Sequence, residues 1–185
     1  MPPALPPLLP DQPRRLALLD PHPVLRLGVE VLLSQHSGVL VCASHADPAR
    51  LLAQLQRDPQ SLDLLVVDAF ALGDRGDGLA LLRELDQCYP HLPVLVLSAH
   101  CNASTVATAM QAGARGFISK ASSPAVLLRA LDTLSPGGRF VPPELHRQLN
   151  RSRTQRAAPL APTPPTPPER EMPRLVPQVC SRPET

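Results

Sequence analysis

Aromatic residues are scarce in this chain, which has no tryptophan, one tyrosine and three phenylalanines among 185 residues. Proteins that grip single-stranded nucleic acid stack bases on aromatic side chains, so this composition disfavours that partner. The formal net charge of +2 is too small to indicate nucleic acid or a membrane surface. No apolar run approaches the roughly 20 residues of a transmembrane helix. The first ten residues lack a basic start and are interrupted by prolines, which makes a poor signal peptide, and we expect a cytoplasmic protein with no membrane partner.

Cysteine is also sparse, and none of the four cysteines has C-x-x-C spacing. Cys42 lies in an apolar, strand-like pattern, which predicts a buried, reduced thiol. Two Cys–His pairs are candidate zinc ligands: Cys88 with His91, and His100 with Cys101. A predicted buried strand separates the two pairs, so their spacing is weak evidence and we do not predict a zinc site.

Lysine is almost absent, because Lys120 is the only lysine among eighteen basic residues. It closes an apolar segment, and two other apolar segments finish on Asp20 and Asp68. A lysine offers a compact point charge on a flexible stem, which the planar fork of arginine does not reproduce at a tight anionic site. Two acids and one lysine, each closing an apolar strand, form a more specific constellation than any of them alone.

Proline divides the chain into three parts. Of the 25 prolines, six lie within residues 1–13 and nine within 159–185. Such density disfavours packed structure and favours extended or disordered segments. We therefore predict a Pro-rich disordered N-terminus at 1–14, a folded domain at 15–149, and an Arg/Pro-rich linker with a degenerate remainder at 150–185.

The middle part alternates short apolar runs with helical periods. The runs are 16–20, 39–43, 64–68, 94–98 and 116–119. Continuous Val/Leu-rich runs are typical of strands buried on both faces, and parallel strands need helical crossovers. The pattern predicts an α/β protein with a doubly wound parallel sheet. In such sheets the site lies beyond the carboxyl ends of the strands. Asp20, Asp68 and Ser98 end their runs there, and Lys120 follows its run directly. Neither a dinucleotide-binding glycine motif nor a P-loop is present.

These residues carry a family resemblance. The matching positions are Asp20-Pro21-His22-Pro23, Asp68, Ser98, 112–117 and 120–124. Residues 15–149 resemble the receiver domain of two-component response regulators, of the NarL/FixJ subfamily. Segments 72–78 and 138–144 are similar to those of capsule-synthesis regulators of the Rcs phosphorelay. The resemblance implies a flavodoxin-like (βα)5 fold with strand order 2-1-3-4-5.

The resemblance also implies phosphoryl transfer to a carboxylate, with Asp68 as the phosphoacceptor. Lys120 would pair with a phosphoryl oxygen, and Ser98 would donate a hydrogen bond to another. Phe117 matches the aromatic residue that moves inward when the hydroxyl is recruited, so Ser98 and Phe117 would form the switch. Taken singly, Ser98 is better explained as a helix cap and Phe117 as core packing. In register with Asp68 and Lys120, the functional interpretation is favoured.

A Mg²⁺ cofactor is implied by the same resemblance, held by Asp20, Asp68 and the backbone carbonyl of Phe70, because Mg²⁺ takes oxygen ligands. The family normally has two adjacent acids after the first strand, and here the second is Pro21. Losing one carboxylate from a site with few protein ligands should weaken Mg²⁺ binding.

Two arrangements could compensate for the carboxylate that is missing at Pro21. A shift of register would place Asp20 in the direct metal-binding role, or Asp74 or Asp77 of the long loop would reach the pocket. Phosphorylation of Asp68 and a function independent of phosphorylation are therefore both open alternatives.

Residues 165–176, in the C-terminal part, resemble a degenerate form of the start of a helix-turn-helix. Pro173 and Pro177 would break its first helix, since each removes a backbone donor and clashes one turn back. Base readout needs a positioned helix or strand in a groove, so we assign no DNA-binding residues and expect no autonomous DNA binding. The nearby arginines suit either phosphate contacts or a solvated linker: Arg147, Arg151, Arg153 and Arg156.

Three functions are compatible with these observations. The first is a signalling receiver that contacts a sensor histidine kinase or phosphotransfer protein and acts on transcription through protein partners. The second is a phosphorylation-independent dimerisation or sequestration module that forms homodimers, or heterodimers with a full-length response regulator. The third, an enzyme, is disfavoured because no nucleophile–base pair is evident and the histidines are scattered.

Overall fold

The computed structural model describes residues 12–73, 77–134 and 138–147. Within these residues, strands and helices alternate in five pairs. In chain order they are β1 (Arg14–Leu19), α1 (Pro23–Ser34), β2 (Val39–His45), α2 (Pro48–Arg57), β3 (Leu64–Val67), α3 (Gly78–Cys88), β4 (Val94–Ser98), α4 (Ala103–Gln111), β5 (Gly116–Ser119) and α5 (Pro124–Thr133).

The five strands form one parallel sheet in the order β2-β1-β3-β4-β5. The predicted flavodoxin-like fold and its strand order are therefore confirmed. From β1 the chain passes to the edge strand β2, returns to β3 on the other side of β1, and then continues through β4 to the opposite edge strand β5. The strand order therefore reverses between β1 and β3. Ligand sites of open α/β sheets lie at the carboxyl ends of the strands at such a reversal.

The sheet is buried on both faces by helices. One hydrophobic cluster joins the sheet to α2, α3 and α4, and its helical members include Leu51, Leu85 and Val106. The other joins the opposite face to α1 and α5 through residues such as Leu33 and Leu131. Each fully buried leucine contributes about 1.5–3 kcal/mol relative to an exposed one, so these clusters stabilise the three-layer arrangement.

The helix boundaries follow local sequence signals. Asp47 caps α2 by accepting a hydrogen bond from the Ala49 backbone N–H at 2.8 Å, and Pro48 occupies the first turn. Helix α4 ends before Gly113, whose φ of +107° lies in the region that favours glycine. An Asp-Pro pair and a glycine are thus the local signals that begin α2 and end α4.

The prediction of a buried thiol at Cys42 is wrong, because this residue is exposed. Strand β2 is an edge strand, and its pairing with β1 shifts register so that Leu16 pairs with Val41 while Ala17 pairs with Ala43. Cys42 is the residue skipped at this bulge, and its Sγ lies 3.5 Å from the Leu16 carbonyl oxygen. A bulge reorients the side chains of the bulged strand, so the apolar run predicted burial that the edge position does not provide.

A segment after α5 extends the sheet beyond β5. The Phe117 N–H donates to the Phe140 carbonyl at 2.9 Å, and the Phe140 N–H donates to the Arg115 carbonyl at 3.0 Å. Leu145, in a short helical turn at 143–147, is buried in the core. The predicted N-terminal segment up to residue 11 and the helix-turn-helix remnant lie outside the described residues. No helix in the described ranges is both long and apolar enough to cross a membrane.

Candidate functional site

Three strands bring the charged residues together at one edge of the sheet. Each continues its backbone pairing one residue past its end: Asp20 N–H donates to the His45 carbonyl at 3.1 Å, and Asp68 N–H donates to the Leu19 carbonyl at 2.9 Å. Lys120 N–H donates to the Ser98 carbonyl at 2.9 Å. The sheet ladder therefore fixes the backbone beneath all three charged side chains.

The Lys120 ammonium bridges the two carboxylates. Its Nζ lies 2.7 Å from Oδ2 of Asp20 and 2.6 Å from Oδ2 of Asp68. Asp20 is 5% exposed and Asp68 is 2% exposed, so both carboxylates are largely shielded from water. Burial alone would lower the pKa of Lys120, but the adjacent carboxylates of Asp20 and Asp68 outweigh it, and the pKa is raised.

Ser98 and Phe117, the predicted switch residues, are both buried. Ser98 is fully buried, and its Oγ accepts a hydrogen bond from the His100 N–H at 3.1 Å. The cap of α4 is Asn102, so the hydroxyl supports the preceding turn rather than the helix. Phe117 is fully buried, with its ring centroid 6.5 Å from that of Phe70. Their predicted switch role stays a prediction.

The loop after β3 supplies a backbone contact. The Phe70 N–H donates to Oδ1 of Asp68 at 3.2 Å, and the metal-binding role predicted for its carbonyl stays a prediction. Asp77 caps α3, accepting hydrogen bonds from Leu79 N–H and Ala80 N–H. Its carboxylate is thus engaged at the helix end, while Asp74 lies outside the described residues.

His22 is the site residue that sequence reasoning missed. Its ring Nδ1 lies 2.8 Å from Oδ1 of Asp20, and its backbone N–H donates to the same oxygen at 2.8 Å. The ring nitrogen is also 3.4 Å from Nζ of Lys120. The available signal was its position two residues after Asp20, between Pro21 and Pro23, where a side chain turned back toward the strand end can meet the acid.

The residues present fit a divalent cation. Asp20, His22 and Asp68 each offer a ligand atom, and these atoms lie within 4.8 Å of one another. Oδ2 of Asp20 is buried and, although it is 2.7 Å from the Lys120 ammonium, it makes no hydrogen bond of acceptable geometry to a described residue. In the described ranges this is the one group of three or more such ligands, so the Cys88–Cys101 set does not assemble.

Together, the sheet topology and this edge define a known class of signalling domain. The response regulator receiver domain family matches residues 16–132, and the chain belongs to this family. It is similar to the fimbriae Z protein of Salmonella typhimurium (29% identity over 143 residues, covering 77% of this chain and 66% of that protein). It is also similar to the transcriptional activator protein ExaE of Pseudomonas putida (33% over 134 residues, 72% and 61%). These relatives are regulators rather than enzymes, and the chain spans less than two thirds of their length.

Solved structures point to the same group. The isolated receiver domain of RcsB from Salmonella enterica serovar Typhimurium, with a phosphomimetic BeF3⁻, has a TM-score of 0.66 and 26% identity, over 74% of this chain and 99% of that one. A structure of two RcsB dimers bound to two parallel DNAs has a TM-score of 0.67 and 26% identity, over 75% and 68%. The resemblance to Rcs-type regulators within the NarL/FixJ group is thereby confirmed.

Proposed function

We propose that this chain is a cytoplasmic phosphorylation-controlled receiver in which Asp68 accepts a phosphoryl group. The observation that carries the proposal is the buried Asp68 carboxylate with the Lys120 ammonium 2.6 Å away. A sensor histidine kinase or phosphotransfer protein, with phosphohistidine as donor, suits an acceptor recessed at the carboxyl edge of the sheet.

The chemistry follows from the charges at this edge. A carboxylate oxygen of Asp68 attacks phosphorus, the P–N bond of the donor breaks, and its electron pair returns to the donor imidazole. Lys120 exchanges a carboxylate contact for a phosphoryl oxygen, and the Ser98 hydroxyl donates to another. A divalent cation would be held by Asp20 and Asp68, and it would supply charge neutralisation during transfer.

The test is incubation with acetyl phosphate and a divalent cation, followed by intact mass. We expect one added phosphate that is lost in Asp68→Asn. Asp47→Asn is the matched control, because Asp47 is an exposed helix cap and asparagine caps equally well. Phosphate surviving in Asp68→Asn would overturn the assignment.

Lys120→Arg tests the point charge. The guanidinium fork cannot occupy the position between two carboxylates that a compact ammonium fills, so labelling should slow by at least about tenfold while Asp68 stays intact. An unchanged rate would show that any cation at this position suffices.

The proposed output is control of transcription through another protein. The curated relatives are transcription regulators, whereas residues 165–176 of this chain carry prolines that interrupt the predicted first helix of a helix-turn-helix. A mixed dimer with a full-length regulator would hold a single DNA-reading arm and bind a two-half-site operator poorly. In a mobility-shift experiment, this chain should give no operator complex alone and should weaken that of a full-length NarL/FixJ-type regulator. Sequence-selective binding by this chain alone at physiological salt would contradict the proposal.

A second candidate is supported by Pro21, which stands where the family has an acid, and by the Lys120 bridge, which already compensates the carboxylates. In this alternative the domain pairs with its partner without phosphorylation. The Asp68→Asn variant discriminates between the two candidates. It should still weaken the operator complex of the full-length regulator under this alternative, and should fail to do so if phosphorylation controls the domain.

A further inference from the structure

We infer that His22 completes a three-residue metal site with Asp20 and Asp68 and turns its preference from Mg²⁺ toward divalent transition ions such as Zn²⁺ and Co²⁺. The inference rests on the proposed function, because it names the cofactor class of the same pocket. Its basis is the convergence of one imidazole nitrogen and two carboxylate oxygens within 4.8 Å of one another.

Local structure holds the imidazole at the pocket. His22 is the N-cap residue of α1, but its side chain makes no capping hydrogen bond. Instead, its backbone N–H and its Nδ1 both lie 2.8 Å from Oδ1 of Asp20. Proline on each side restricts the backbone of this turn, so the ring stays near the acid although its side chain is 61% exposed.

The buried carboxylate of Asp20 lies against a cation, the Lys120 ammonium. Its Oδ2 has no hydrogen bond of acceptable geometry to a described residue. The Lys120 ammonium lies among the three ligand side chains, at 2.7 Å from Asp20, 2.6 Å from Asp68 and 3.4 Å from Nδ1 of His22. A positive charge is therefore already accommodated at this point, and a metal ion would compete with the ammonium for it.

The ligand chemistry sets the preference. Mg²⁺ demands oxygen ligands in near-octahedral geometry, and Pro21 offers no side-chain oxygen. Imidazole suits later divalent transition ions, whose affinity for nitrogen-containing sites exceeds that of Mg²⁺. Histidine nitrogen and carboxylate oxygen are both Zn²⁺ ligands, and a site with three protein ligands is completed by solvent.

The test is calorimetric titration of the unphosphorylated full chain with Mg²⁺, Zn²⁺ or Co²⁺ alone, and visible absorption of the Co²⁺ form. We expect Co²⁺ and Zn²⁺ to bind at least about tenfold more tightly than Mg²⁺. His22→Ala should remove at least about tenfold of that preference and change the Co²⁺ spectrum, since removing even an outer partner of a ligand costs this much. His91→Ala is the control, because His91 bonds to the Pro59 carbonyl at the opposite edge of the sheet.

Two further variants make the result independent of any single substitution. His22→Asp should restore preference for Mg²⁺ by supplying an oxygen ligand, and Lys120→Met should tighten binding of all three ions by removing the competing ammonium. Mg²⁺ binding as tight as Co²⁺ in the unsubstituted chain, or equal effects of His22→Ala and His91→Ala, would overturn the inference. Undiminished Co²⁺ binding in Asp68→Asn would overturn it too.

Failure of this inference is distinguishable from failure of the proposed function. Labelling of Asp68 by acetyl phosphate together with no transition-ion preference would refute only the metal assignment. The predicted preference together with no labelling at Asp68 would support the metal site and refute phosphorylation.

Discussion

At the scale of single residues, Lys120 is the side chain that compensates two buried carboxylates. Removing one partner of a buried ion pair leaves uncompensated charge, so Lys120→Met should destabilise the fold by about 3 kcal/mol at neutral pH. Adding Asp20→Asn to that variant should recover part of the loss, because one of the two stranded charges is then gone. Urea unfolding of the single and double variants checks both statements, and a Lys120→Met protein as stable as the original would refute the electrostatic account.

Pro21 is the second informative single residue. Pro21→Asp adds a carboxylate beside Asp20, and Mg²⁺ affinity should rise by about tenfold, because ligand charge strongly tunes binding of hard cations. Pro21→Asn separates this effect from mere loss of the proline ring and should give a much smaller gain. Equal Mg²⁺ affinities for Pro21→Asp and the unsubstituted chain would show that the carboxylate position is already served by another group.

The residue scale also shows what the sequence could not predict. Asp20, Asp68, Ser98 and Lys120 were recognisable because each follows an apolar strand, and parallel topology places such positions at one edge. His22 was not, since its ring orientation depends on a turn around Asp20. Cys42 was misjudged because a bulge and an edge position, both results of strand pairing, decide its exposure.

At the scale of elements, the junction of β3 and α3 depends on a glycine. A Cβ placed on Gly78 would lie 1.8 Å from the Ala69 carbonyl oxygen, so backbone must move to admit it. Gly78→Ala should therefore destabilise the fold by about 3 kcal/mol, the upper end of overpacking costs. Gly28→Ala is the matched control: a Cβ there meets nothing within 4 Å, and alanine in α1 should stabilise by about 0.5–1 kcal/mol. Thermal unfolding distinguishes them, and a neutral Gly78→Ala would show that this junction is pliable.

The loop before β3 is attached to β1 by an ion pair. Asp63 accepts hydrogen bonds from the Arg15 backbone N–H at 2.8 Å and from its guanidinium at 3.0 and 3.1 Å. Burial alone would raise the pKa of Asp63, but the bonds from Arg15 prevail and the pKa is lowered. A carboxyl with a lowered folded-state pKa stabilises the protein above its unfolded pKa, and the contribution disappears as pH falls through the folded value.

It follows that Asp63→Asn should cost about 1 kcal/mol at pH 7, allowing for the solvent exposure of Arg15. The difference should shrink below about pH 4, where the unfolded carboxyl takes up its proton. Urea unfolding across this pH range gives the measurement, and a difference independent of pH would refute the electrostatic origin. The sequence predicted these strands and helices from periodicity, but not this link, because residues 48 positions apart meet only through strand pairing.

At the scale of the whole molecule, we predict that the folded unit includes the segment after α5. Residues 138–147 contribute the Phe140 backbone link to β5 and the buried Leu145. A chain of residues 12–147 should unfold within a few degrees of the full chain, whereas residues 12–134 should lose about 2–4 kcal/mol through the missing core side chains. Leu145→Ala in the full chain is the control and should reproduce much of that loss. Equal stability of the two shortened chains would place the boundary of the domain before this segment.

The site's three charges come from β1, β3 and β5, so Asp20 and Lys120 are a hundred positions apart in the chain but in contact in space. Such a pocket has no local precursor: contacts between distant parts of a chain form late, after their loop-closure entropy has been overcome. During synthesis, Asp68 emerges from the ribosome well before Lys120. A nascent or partly unfolded copy therefore has the Asp68 carboxylate without its neutralising partner, and the charge-paired pocket forms only together with the completed sheet.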